Sequence, residues 1–138
     1  MPIATEFTLD VQDRPGTLGK FCRALAERNI NILAFQTYPA EGRSLVHLVV
    51  DDPSTAKAVL DAEHVSYTEA DVAQVKLPHR PGELARAASR LGDAGVNINY
   101  AYVGAELGTN TPLLILGVAK VGQAVTLLDQ AAAAAGTM

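Results

Sequence analysis

The sequence predicts an α+β fold made of two βαββαβ units in tandem, and three observations predict it. The hexapeptide Asp13-Arg14-Pro15-Gly16-Thr17-Leu18 returns as His79-Arg80-Pro81-Gly82-Glu83-Leu84. Each copy is followed at the same distance by an Asn-Ile pair, Asn31-Ile32 and Asn97-Ile98, so turn and asparagine share one offset of 66 residues (79 − 13 and 97 − 31). Between these landmarks, apolar residues alternate with period two and then recur with helical period, in the same order in both copies.

Phe7, Leu9 and Val11 alternate with Thr8 and Asp10, the pattern of a half-buried strand. Arg14-Pro15-Gly16 stops it, with Pro15 suited to a helix entrance and Gly16 allowing close approach of backbone or ligand. Leu18, Phe21, Cys22 and Leu25 fall at i, i+3, i+4 and i+7, an amphipathic helix that Arg28-Asn29 ends. Ile30 to Tyr38 is rich in β-formers. Glu41-Gly42-Arg43 is a hairpin turn, and Leu45 to Val50 returns as a strand. Asp52-Pro53-Ser54 opens a second helix with Ala56, Val59 and Leu60 inward, and Val65 to Ala70 reads as a fourth strand.

The second half replays this. Val72 to Leu77 matches the first strand, and Leu84, Ala87, Ala88 and Leu91 repeat the first helical face. Val96 to Val103 is the next strand. After the longer turn from Gly104 to Thr111 the offset becomes 68, and Val121, Ala124, Val125, Leu128, Ala131 and Ala132 form the last helical face. Where a fourth strand is due, the chain reads Ala133-Ala134-Ala135-Gly136-Thr137-Met138. The second copy is therefore expected to lack its last strand. The exposed edge this leaves must be covered by another chain or a rearranged strand. The units are placed at residues 1–70 and 71–138, packed tightly because no linker separates them.

Bulk properties narrow the function. Of 138 residues, 49% are hydrophobic but only 5% aromatic, with no Trp, so the core is aliphatic. No run reaches the ~20 apolar residues of a membrane span. The N-terminal residues do not read as a signal peptide, and the single cysteine, Cys22, excludes an internal disulfide; a cytoplasmic protein is expected. A net charge of −4 argues against nucleic acid. The three histidines are not spaced as a metal set: His47 reads as structural and His64 as a helix end. Cys22 reads as a buried small hydrophobe, and Tyr38, Tyr100 and Tyr102 as residues of the sheet faces or the interface between units.

The hexapeptide, its helix and the following Asn29-Ile30-Asn31-Ile32 resemble an ACT domain. His79 to Leu84 with Gly95-Val96-Asn97-Ile98 resembles a second one. The resemblance covers nearly the whole chain and is closest to stand-alone tandem ACT proteins that bind amino acids. It implies a ferredoxin-like fold with antiparallel sheets pairing side by side and helices on one face. It also implies a regulatory, non-enzymatic protein that senses a small molecule, most often an amino acid, for a metabolic enzyme. A dimer is expected, without cofactor, metal, membrane or nucleic acid. In such proteins the ligand sits where the first loop of one unit meets the second strand of its neighbour. The ligand residues implied are Asp13, Arg14, Gly16, Thr17, Leu18 and Asn31, with His79, Arg80, Gly82, Glu83, Leu84 and Asn97 in the second copy.

The chemistry of these residues points the same way. A helix N-terminus offers backbone N–H groups and a favourable dipole to a carboxylate. Asn31 and Asn97 each offer a donor and an acceptor. Asp13 could pair with an ammonium group, whereas His79 stands in its place in the second copy. Glu83 replaces Thr17 and would compete with an anion, so the first loop is expected to be the better carboxylate site. Two other readings remain. Acylphosphatases share the element order and use a loop Arg with a strand Asn, as Arg14 with Asn31 or Arg80 with Asn97 could; the glycine-rich phosphate cradle is missing, and Asp13 would repel phosphate. A dimerisation module with empty sites is the other.

Overall fold

Strand β1 (Ile3–Gln12) places Phe7, Leu9 and Val11 on one face and ends at the first Pro-Gly turn. The computed structural model describes residues 3–136, and the side chains from Gln130 onward lie outside the described residues. Helix α1 (Thr17–Glu27) follows and buries Phe21 and Leu25. It closes on a Schellman turn, in which Asn29 takes φ 58° and the Ile30 amide donates to the Leu25 carbonyl at 3.1 Å. Strands β2 (Ile32–Ala40) and β3 (Arg43–Val50) form a hairpin whose two turn residues, Glu41 and Gly42, both have positive φ, as a type I′ turn requires. Helix α2 (Pro53–Ala62) is capped by Asp52, whose carboxylate accepts from the Thr55 amide at 3.1 Å, with Pro53 at the first helical position.

Next come β4 (Ser66–Lys76), α3 (Glu83–Asp93), β5 (Ile98–Ala105), β6 (Pro112–Val118) and α4 (Val121–Gly136). Thr5–Ala70 forms one unit. Asp71 onward forms the other, joined by Ile3 and Ala4 from the head of β1. In the first unit the strand order is β2-β3-β1-β4, which is the ferredoxin-like order. In the second it is β4-β6-β5, the same order without the fourth strand. All the pairings for which a register is defined are antiparallel.

Each unit has its own aliphatic core between helices and sheet. In the first, Phe7, Leu9, Val46 and Leu48 meet Phe21, Leu25, Val59 and Leu60. In the second, Ala73, Val75, Leu114 and Leu116 meet Ala87, Leu91, Ala124 and Leu128. Burying one such Leu or Phe side chain contributes roughly 1.5–3 kcal/mol, and these contributions hold the helices on the sheet.

The duplication extends to irregularities. The β2–β3 register shifts between Ile32 and Ala34, and the β5–β6 register shifts between Ile98 and Tyr100, the same offset of 66. Beyond the shift, Ala34 faces Val49 in the first unit and Tyr100 faces Gly117 in the second.

Two expectations are corrected. Val65–Ala70 and Val72–Leu77 are not two strands: β4 runs unbroken through Ala70-Asp71, because no Gly or Pro interrupts it. Leu18 and Leu84 are not core residues; they are 37% and 55% exposed, because they lie in the first helical turn, at the very end of each helix. In the strand order β4 stands between β1 and β6. Ala133 to Gly136 continue α4, so among the described residues the second unit has no fourth strand. The inward placement of Ala131 and Ala132 concerns side chains outside the described residues.

The first unit also buries polar groups that the second does not repeat. On β1 and β3, Glu6 Oε1 lies 3.3 Å from His47 Nδ1, with side chains 1% and 8% exposed. His47 Nδ1 is also 3.1 Å from the Thr8 hydroxyl, and its Nε2 is 3.3 Å from the Tyr38 hydroxyl. The equivalent residues in the second unit, by offsets of 66 and 68, are Val72 and Ile115, both buried. His47 is thus a structural histidine.

Candidate functional site

The two Pro-Gly turns have the same backbone. Gly16 caps α1 at φ 90°, ψ −16°, and Gly82 caps α3 at φ 92°, ψ −16°. In both, the first helical amide reaches back to the arginine carbonyl: Thr17 to Arg14 at 3.3 Å and Glu83 to Arg80 at 3.4 Å. No side chain caps either helix start, so the helix dipole and backbone donors face outward. A Cβ built on Gly16 or Gly82 would meet nothing within 4 Å. The glycines are therefore demanded by their positive φ, not by crowding within the chain.

The side chains around the two turns differ. Asp13 and Arg14 are exposed in the first, and the Arg14 guanidinium donates to Gln12 Oε1, through Nε at 2.9 Å and through Nη2. Thr17 is half-buried. In the second turn, Arg80 Nε donates to Glu83 Oε1 at 2.8 Å. Glu83 is only 4% exposed, and its Oε2 has no hydrogen-bond partner. An oxygen left that way costs about 1–3 kcal/mol. The acid at the helix start does sit at the positive end of the dipole, as expected. Its burial and its bond to Arg80 were not anticipated; the i, i+3 spacing of Arg80 and Glu83 was the available signal.

Behind the second turn is a cleft of about 360 Å³. Leu77, Pro78, Pro81, Leu84, Val103 and Leu114 form its apolar walls, with His79, Arg80 and Glu83 as its polar rim. Strands β5 and β6 supply Val103 and Leu114. No motif in the sequence pointed to them.

The asparagines stand elsewhere. The turn at Gln12 is level with Arg43, the start of β3, whereas the amide of Asn31 donates to Asp51 Oδ1 at 2.9 Å, beyond the far end of β3. From Arg43 to Val50, at ~3.4 Å per residue, is about 24 Å. Asn97 is likewise at the Val118 end of β6, where its Nδ2 donates to Asn99 Oδ1 at 3.1 Å and it lines a separate cavity of about 260 Å³ with Lys120 and Gln123. Each unit therefore holds its loop and its asparagine at opposite ends, so Arg14 with Asn31, or Arg80 with Asn97, cannot hold one phosphate within a unit. Among the described residues, no group of three His, Cys, Asp or Glu side chains is placed to hold a metal ion, and no helix is long and apolar enough to cross a membrane.

Residues 5–63, which hold the first Pro-Gly turn and its helix, match the family model for the ACT domain. The strand order of that unit recurs in the second half without its fourth strand. The chain is 35% identical over 65 residues to the ACT domain-containing protein ACR3 of Arabidopsis thaliana, a match over 47% of this chain that spans about a seventh (14%) of the length of that relative. Among solved structures it is similar to protein BT0572 from Bacteroides thetaiotaomicron, with TM-score 0.82 and 24% identity over 94% of this chain and 88% of that one. The ligand-free regulatory subunit of aspartate kinase from Thermus thermophilus has TM-score 0.62 and 20% identity, over 94% of this chain and 92% of that one. Likeness at these identities concerns the fold.

Proposed function

We propose that this chain is a sensor that binds an amino acid at its Pro-Gly corners and transmits occupancy to a metabolic enzyme. One observation carries the reading: the same uncapped helix start, with dihedrals matching within 2°, is built twice with open space in front of each glycine. Backbone donors at a helix start suit a carboxylate. The first corner, with Thr17 where the second has Glu83, is the carboxylate site of this proposal, and Asp13 is its ammonium partner. The match to the ACT domain supports a small-molecule-binding regulatory role. The enzyme partner follows the regulatory subunit of aspartate kinase, whose fold this chain shares. A second copy of the chain belongs to the proposal, since it would bring an asparagine to a loop.

A thermal-shift screen of the full chain against the twenty amino acids tests this. One amino acid, or a few related ones, should raise the melting temperature with concentration, because a ligand that binds only the folded state stabilises it. No shift with any of them, confirmed by absence of calorimetric heat, overturns the proposal. A monomer in light scattering at saturating ligand removes the second copy from it.

A further inference from the structure

The second Pro-Gly cleft has a property that a carboxylate site should not have. Its polar rim includes a buried carboxylate, Glu83, one oxygen of which is held by Arg80 while the other accepts nothing. A second anion at this rim would face Glu83 directly, whereas a donor would complete it. The two carboxylate oxygens turn together, so a head group in the cleft that takes one of them shares Glu83 with Arg80. Around this rim the walls are apolar, and Leu84 and Val103 are left 55% and 59% exposed. About 360 Å³ is the lower range of small-molecule sites, enough for one branched aliphatic or small aromatic body.

The geometry points to this cleft as a site for a ligand with an ammonium or N–H donor at the head of an apolar body, with Glu83 as the acceptor. Covering Leu84 and Val103 and supplying a donor to Oε2 are met by the same molecule. The first corner has no acid at the equivalent position, Thr17, so the two corners select different head groups.

This inference rests on reading the second loop as a ligand corner, and its test uses probes that are not amino acids. The full chain is titrated with 3-methylbutylamine and with 3-methylbutanoate, which share a carbon skeleton, and the methyl resonances of Leu84, Val103 and Leu114 are followed. The amine should shift them and bind at least tenfold tighter than the acid. Glu83→Gln should lose at least tenfold in amine affinity, and Glu83→Leu should lose binding altogether. Equal binding of the two probes, no binding of the amine, or amine binding that survives both substitutions overturns the inference. The comparison of probes needs only the unaltered chain, so a variant that fails to fold does not spoil it. An amine that binds while all amino acids fail removes amino-acid sensing and leaves the cleft; the reverse removes the cleft alone.

Discussion

The Tyr100 ring occupies the space a side chain on Gly117 would need: a Cβ there would lie 2.2 Å from its Cε1. The two residues face each other across β5 and β6. In the first unit the same pair is Ala34 and Val49, so large and small have changed strands between the copies while their partnership has stayed. Gly117→Val should therefore destabilise the protein by about 1–3 kcal/mol, the usual cost of overpacking. Tyr100→Ala combined with Gly117→Val rebuilds the pair of the first unit and should recover most of that loss. Urea unfolding of the single and double variants measures both; a single variant as stable as the parent refutes the steric account.

The buried pair of Glu6 and His47 supplies a second internal control. Replacing Glu6 alone by Val removes one member of a buried polar cluster that also holds His47, Thr8 and Tyr38, at about 1–3 kcal/mol. Glu6→Val with His47→Ile copies Val72 and Ile115 of the second unit and should cost much less than the single change. Chemical denaturation of both variants decides it: a double variant worse than the single one shows that the pair is not exchangeable for apolar residues.

At the two capping glycines the prediction concerns backbone alone. Gly16→Ala and Gly82→Ala introduce no clash but force φ near 90°, so each should cost about 1–2 kcal/mol, and the two costs should be alike. D-Alanine introduced by chemical ligation accepts this φ and should restore stability. If D-alanine is as harmful as L-alanine, the space in front of the glycine is not open.

Two groups carry readable pH signatures. The Tyr67 hydroxyl donates to Asp61 Oδ1 at 2.7 Å, and this bond pushes the phenol up to about 12. A raised value stabilises the fold below the ordinary phenol range, and the contribution fades as pH climbs through 12. Absorbance titration at high pH should show one late-ionising tyrosine that disappears in Asp61→Asn.

Asp52 has the opposite sign. Hydrogen bonds from Thr55 hold its carboxyl below the usual range, so its cap stabilises α2 above that range and is lost as pH falls through the lowered value. Asp52→Asn keeps a capping oxygen without the charge. It should retain most of the stability at pH 7 while flattening the acid limb of the unfolding curve, and an unchanged acid limb would speak against the cap.

Much of this fold was legible because its punctuation is chemical. Gly16, Gly82, the Asp52-Pro53 cap and the Asn29 and Gly95 helix ends each require a backbone or bond that few residues provide. What was not legible depended on register and reach. Alternation puts Glu6 and Thr8 opposite Phe7 and Leu9, but only the pairing of Thr8 with His47 brings the histidine to them. An acid at a helix start normally faces water, so the i, i+3 spacing with Arg80 was the one mark that Glu83 is engaged. The separation of loop and asparagine follows from the length of the helix between them, 11 residues or about 16 Å. The missing break at Ala70-Asp71 was also in plain view, as a run from Val65 to Leu77 without Gly or Pro.

That unbroken β4 changes how the duplication can be taken apart. Its first residues belong to one repeat and its last residues to the other, so a cut at 70/71 severs a strand in its middle. No single scission yields two intact copies. Expressing either repeat by itself requires overlapping fragments that each keep Ser66–Lys76, and the eleven residues present twice in such a pair are the ones that the joined chain uses once.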